Sequence, residues 1–134
     1  MYIQFFVDFV RGKARARTGG GHQYTPAQTR SDMQVIAYEF RERCLSMAPK
    51  GVPVRLHIVA QRELPKSRPK RVEWEHDTAK PDIDNIAKLV MDALNGVAWH
   101  DDSQVTSLIC QKCIRERGSG NWMHISVSWE EDDE

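Results

Sequence analysis

The feature that most constrains the fold of this chain is the way its apolar spacing switches period. From Tyr2 to Phe9, Ile3, Phe5, Val7 and Phe9 share one face at every second position, the pattern of a half-buried strand. Met33, Ile36, Ala37, Phe40, Cys44 and Met47 then recur at helical spacing. Alternation returns with Val54, Leu56, Ile58 and Ala60, and a second helical stripe follows with Ile83, Ile86, Ala87, Val90 and Leu94. Val105 to Ile114 and Trp122 to Trp129 read as two closing strands around the turn Gly118-Ser119-Gly120-Asn121. The order strand, helix, strand, helix, strand, strand predicts an α+β fold. Two helices pack on a mixed or antiparallel sheet, and the last two strands form a hairpin. A length of 134 residues with 40% apolar content fits one small domain, residues 1–129, followed by a tail at 130–134.

Punctuation supports these boundaries. Thr25 is placed to cap the first helix, with Pro26 at its first position and Gln28 completing a capping box. That helix stops before Pro49 and Gly51, and Asn95-Gly96 ends the second. Residues 61–80 lack periodicity, and a loop this long in a small domain is often functional.

The formal net charge is zero, but the average conceals an asymmetry. Residues 130–134 are all acidic, and the remainder carries 19 basic residues against 14 acidic ones, a net charge of +5. A basic body suits a nucleic-acid binder. Its cations cluster in two segments, Lys13, Arg15 and Arg17 in a glycine-rich stretch, then Arg62, Lys66, Arg68, Lys70 and Arg71. Exposed cations on loops are the usual holders of phosphate backbones. Trp74, beside the second cluster, either stacks on bases or folds onto the core. No apolar run reaches the length of a membrane span, and Asp8 and Arg11 interrupt any secretory leader. Three cysteines, an odd number, fit a reduced, cytoplasmic protein. Cys110 and Cys113 have the spacing of half a zinc site, but on a strand they point to opposite faces, which favours packing.

Between the basic segments lies a crowd of carboxylates: Asp82, Asp84, Asp92, Asp101 and Asp102, with Lys88 among them. Such acids repel one another unless a cation sits among them. Capping by Asp82, a dipole contact from Asp84 and an i,i+4 pair to Lys88 explain each residue singly, yet a cap needs one acid and not two. A calcium loop fails, because Ile86 and Ala87 stand where it needs an oxygen ligand and a glycine. Several carboxylates without His or Cys suit a hard cation, Mg²⁺ or Mn²⁺, and so phosphodiester chemistry. A nearby lysine can steady the phosphate or its attacking water.

The segments Lys80-Pro81-Asp82-Ile83-Asp84-Asn85-Ile86-x-Lys88, Asp92-Ala93-Leu94-Asn95-Gly96-Val97 and Asp101-Asp102-Ser103-Gln104-Val105 closely resemble the signature of the RusA family of Holliday-junction resolvases. Lys13-x-Arg15-x-Arg17 with Tyr24-Thr25-Pro26 and Thr29, and Pro65-Lys66-Ser67 with the basic run and His76, extend the likeness over most of the chain. The resemblance implies a RusA-like fold and a small homodimeric, Mg²⁺-dependent endonuclease that cuts opposite strands of a four-way junction symmetrically. It implies catalytic roles for Asp82, Asp84, Lys88 and Asp102, and metal ligation by Asp82, Asp84 and Asp102. Asp101 is a further candidate ligand, and Asp92 matches a common family position. Many members are carried by phages or prophages. Asp8-Phe9-Val10-Arg11-Gly12 replaces the family's proline-containing turn. Two other readings stay open: a junction-binding protein without nuclease activity, and a metal-dependent nucleotide phosphohydrolase.

Overall fold

The computed structural model describes residues 1–14, 17–20 and 22–131. Among these residues the elements run β1 (Tyr2–Val7), β2 (Arg17–Gly19), β3 (His22–Tyr24), α1 (Ala27–Arg43), β4 (Val54–Gln61), β5 (Trp74–Glu75), α2 (Ile83–Leu94), a 3₁₀ turn (Asp102–Gln104), β6 (Val105–Lys112), β7 (Arg115–Glu116) and β8 (Trp122–Ser128). The fold is α+β, with two helices and a mixed four-stranded sheet in the order β1-β8-β4-β6. β8 runs antiparallel to both β1 and β4, while β6 is parallel to β4, with Val54 opposite Val105 and Ala60 opposite Lys112.

The expected closing hairpin does not form. β8 inserts between β1 and β4, and β6 lies on the far side of β4. Burial explains the choice. Met123, Ile125 and Val127 of β8 are fully buried, so this strand takes a central place. β6 has no continuous buried face and takes the edge. The turn at 118–121, where Gly118 and Gly120 hold φ of 78° and 73°, leads out of the short strand β7 instead. Such φ values favour glycine because an L side chain clashes there.

α1 and α2 pack together and onto one face of the sheet. Ile36 and Phe40 of α1 and Ile86, Leu89, Val90 and Leu94 of α2 meet Leu56, Ile58 and Ile125. The other face is left to solvent and carries Tyr2, Phe6 and His57, with the Phe6 ring edge-on to Trp122 at 5.4 Å and tilted against His124 at 4.7 Å.

Three local expectations change. Pro26, not Thr25, is the N-cap of α1; it is extended (φ −54°, ψ 145°) and no side chain caps the helix. Gln28 donates instead to Asp32 Oδ1 at 2.8 Å, so no capping box forms. α1 ends at Arg43, because Cys44 turns extended, which leaves Met47 outside the helix. Ile83 is 43% exposed rather than part of the buried stripe, since the first turn of α2 projects beyond the core.

Candidate metal and nucleic-acid site

Asp82 is extended (φ −68°, ψ 150°) and α2 begins at Ile83, so Asp82 is the N-cap residue as its sequence position suggests. Its carboxylate makes no cap hydrogen bond. It is 55% exposed and faces Lys80 Nζ at 3.8 Å. Asp84, in the first helical turn, is 66% exposed and lies 3.7 Å from Lys88 Nζ, one turn on. Both carboxylates therefore keep their oxygens free of close hydrogen bonds at the start of α2. This donor set fits a hard divalent ion. Mg²⁺ is commonly held by one or two carboxylates, with waters and substrate phosphates filling the remaining positions.

The other acids are placed differently. Asp92 forms an ion pair with Lys13. Asp101 caps the 3₁₀ turn, accepting from Ser103 N at 2.9 Å, and those hydrogen bonds hold its carboxyl below the usual range. Asp102 Oδ1 accepts from the buried Trp99 indole at 2.8 Å. β6 begins near the end of α2, not near its start. α2 runs back along β6, and its first turn lies by the C-terminal part of that strand, where Cys110 Sγ approaches the Ile83 carbonyl at 3.7 Å. Asp102 precedes the opposite end of β6. Among the described residues no three His, Cys, Asp or Glu side chains converge as a metal cage.

Several groups that hold the site give little signal in the sequence. Lys112, at the end of β6, donates to the carbonyls of Ala79 at 2.6 Å and Pro81 at 3.0 Å, fixing the approach to Asp82. It also lies 3.7 Å from Asp77, whose side chain is 1% exposed and accepts two bonds from Arg62 at 2.8 and 2.9 Å. On the other flank, buried Asp32 accepts a bidentate pair from Arg11 at 2.7 and 2.8 Å. Arg11 also lies 4.4 Å over the Phe9 ring. Gly12 then passes so close to α2 that a Cβ there meets Asn85 Cβ at 2.8 Å and Pro81 Cβ at 3.0 Å. Lys13 N donates to the Asn85 carbonyl at 2.9 Å. Val10 to Lys13, Lys80 to Asp82 and Asn85 together line a cleft beside the two acids.

The predicted cations divide into tied and untied groups. Lys13 is engaged with Asp92, and Arg68 with Glu75 at 2.9 Å. Lys66, Lys70 and Arg71 are exposed and make no ion pair among the described residues. Arg15 and the Arg17 side chain lie outside the described residues. The loop carrying the second cluster is anchored, since Arg117 donates to the carbonyls of Pro69 at 3.0 Å and Val72 at 2.7 Å. Within it β5 pairs with β7, which the sequence did not predict. Trp74 stands 52% exposed there, edge-on to His76 at 5.3 Å. Burial raises the Cys110 thiol to about 11, so it stays protonated. No helix among the described residues is long and apolar enough to cross a membrane.

Comparison with known proteins identifies the family. A relative in Bacillus subtilis (strain 168), described as uncharacterized protein YqaN, is 30% identical over 113 residues, which is 79% of this chain and 80% of the relative. The family model of endodeoxyribonuclease RusA matches residues 9–125, a span that takes in the basic segments, Asp82, Asp84, Lys88 and Asp102. The chain belongs to the RusA endodeoxyribonuclease family.

Proposed function

We propose that this protein is a Mg²⁺-dependent, structure-selective endodeoxyribonuclease that resolves four-way DNA junctions by paired symmetric cuts, with Mn²⁺ able to replace Mg²⁺. The observation that carries the reading is the pair of exposed carboxylates, Asp82 and Asp84, left without cap bonds at the start of α2 in a chain of this family. Asp82, Asp84 and Asp102 are the proposed ligands, with Asp101 a further candidate. A bound divalent ion would supply an activated water and screen the scissile phosphate. Lys88, whose Nζ lies 3.7 Å from Asp84, would steady the phosphate's developing charge. Lys66, Lys70 and Arg71, with Lys13, Arg15, Arg17 and Arg68, would grip the phosphate backbones of the arms. A homodimer, whose two-fold axis matches that of the junction, would deliver the second cut.

Asp82→Asn and Asp84→Asn variants test this with a synthetic four-way junction. Each should bind the junction at least as well as wild type, because an acid near DNA is neutralised. Each should cut it on the order of 100-fold more slowly in Mg²⁺. Cleavage at the wild-type rate would reject the assignment. Turnover of free nucleotides with indifference to DNA shape would favour the phosphohydrolase reading.

A further inference from the structure

The proposed cleavage uses only the cations of residues 61–80, yet this segment is built as a small platform of its own. β5 and β7 pair antiparallel, with Trp74 opposite Glu116 and Glu75 opposite Arg115. Neighbouring bonds fix the pair. Leu64 N donates to the Glu116 carbonyl at 3.0 Å, Arg117 N to the Glu73 carbonyl at 3.1 Å, and Arg115 Nε to the Glu63 carbonyl at 3.0 Å. Residues 65–72 then make two successive turns. Arg68 N donates to the Pro65 carbonyl at 3.1 Å, and Val72 N to the Pro69 carbonyl at 2.9 Å. Lys66 stands inside the first turn, and Lys70 and Arg71 inside the second. From Pro65 to Val72 there are four cations and no acid.

On this platform Trp74 is half exposed, with the His76 ring edge-on to it. An indole offers a flat apolar face, and the cations beside it favour an anionic partner over an apolar or basic one. Nucleic acid supplies both complements, flat bases and charged phosphates. Within a duplex, however, each base is covered on both faces by its neighbours. An indole finds a free face only where the stack is broken, and a branch point breaks it, because base pairs there lose a neighbour as the arms diverge.

We propose that Trp74 reads the branch point: its indole stacks on a base left uncovered where the arms of a DNA junction diverge, while Lys66, Lys70 and Arg71 hold the phosphates beside it. This rests on the reading of junction DNA as the substrate, and it adds a residue that tells a junction from a duplex. The two kinds of contact divide the work. Phosphates are present in any DNA, so the cations hold arms without regard to shape. The uncovered base is present only in the junction.

The platform is also tied to the acids. Trp74 and Asp82 are eight residues apart, which keeps them within about 28 Å even along a straight chain. Between them, Asp77 is held by Arg62, and Lys112 holds the Ala79 and Pro81 carbonyls. The branch point is thereby set at a fixed distance from the start of α2.

Binding without cleavage tests this. The full chain, as wild type, Trp74→Ala, Trp74→Phe and Lys70→Gln, is titrated in the absence of divalent metal. The probes are a synthetic four-way junction and a linear duplex of equal length at one salt concentration. Trp74→Ala should bind the junction about 5- to 150-fold more weakly than wild type, the range of one lost base–aromatic stack. Its duplex affinity should not change, which also shows that the variant is folded. Trp74→Phe, which keeps an aromatic face, should retain most of the junction affinity. Lys70→Gln should weaken both DNAs alike and lower the salt slope by about 1. Equal loss on both DNAs with Trp74→Ala, no loss on either, or a Trp74→Phe as weak as Trp74→Ala overturns the role of Trp74. A Lys70→Gln variant that binds both DNAs like wild type overturns the phosphate contacts. Wild type that binds the junction no tighter than the duplex overturns instead the junction reading on which the proposal rests.

Discussion

Replacing Arg62 by methionine isolates the buried anchor of the 61–80 segment. The Asp77 side chain is 1% exposed, and both of its oxygens are bonded to Arg62. Burial alone would push this carboxyl up, but the Arg62 bonds, with the charges of Arg62, Lys112 and Arg115, hold it below the usual range. A group shifted this way stabilises the fold above its unfolded pKa, and that contribution fades as pH falls through the lower folded value. Removing one partner of a buried pair strands the other charge, at a cost of about 3–5 kcal/mol. Lys112 stays 3.7 Å from Asp77, so the lower end applies: about 3 kcal/mol, or ~10 °C in Tm. In the variant burial wins and the folded carboxyl rises, so its protonation relieves the loss. Urea unfolding at pH 7 and near pH 4 should therefore give a large difference at the first and a smaller one at the second. Adding Asp77→Asn to Arg62→Met should recover part of the loss at pH 7. A loss under about 1 kcal/mol at pH 7, or one of equal size at both pH values, would refute the argument.

Two further outcomes are expected. Gly12→Ala places a methyl group 2.8 Å from Asn85 Cβ and 3.0 Å from Pro81 Cβ, and should cost about 1–3 kcal/mol in thermal or urea unfolding. An unchanged midpoint would mean that the N-terminal segment lifts away at little cost. Trp74→Ala should weaken junction binding by about 1–3 kcal/mol at fixed salt without altering its salt slope, because a stacking face is lost and no charge.

Sequence periodicity located β1, β4, β8 and both helices, because each buries one face and its spacing records that face. It failed for the partners of β6. An exposed edge strand carries no face to read, and the closeness of β6 to β8 in the chain suggested a pairing that β4 occupies. The cap of α1 was misread because Pro26 itself turns the chain, leaving Thr25 one residue too early. Asp84 and Lys88 were legible as neighbours because helical spacing sets them one turn apart, with Asp82 two residues before Asp84. The separation of Asp102 was not, since it depends on which way β6 runs beside α2. Nothing in the sequence marks Asp32 or Asp77 as buried. Their charged partners, Arg11, Arg62 and Lys112, lie 15 to 35 residues away, beyond any local pattern.

The insertion of β8 between β1 and β4 has a kinetic meaning. Before residues 122–128 join the chain, β1 has no strand to pair with, and β4 can form only its parallel ladder with β6. The sheet is then two pieces held apart by a missing centre. Closing it brings residues 116 to 126 positions apart into register, which is slow relative to local pairing. A chain interrupted before β8 keeps the acids, the basic loops and α2, yet lacks the central strand that joins β1 to β4. A growing chain thus carries every chemical group of a DNA-cutting enzyme while the platform that aligns them arrives last.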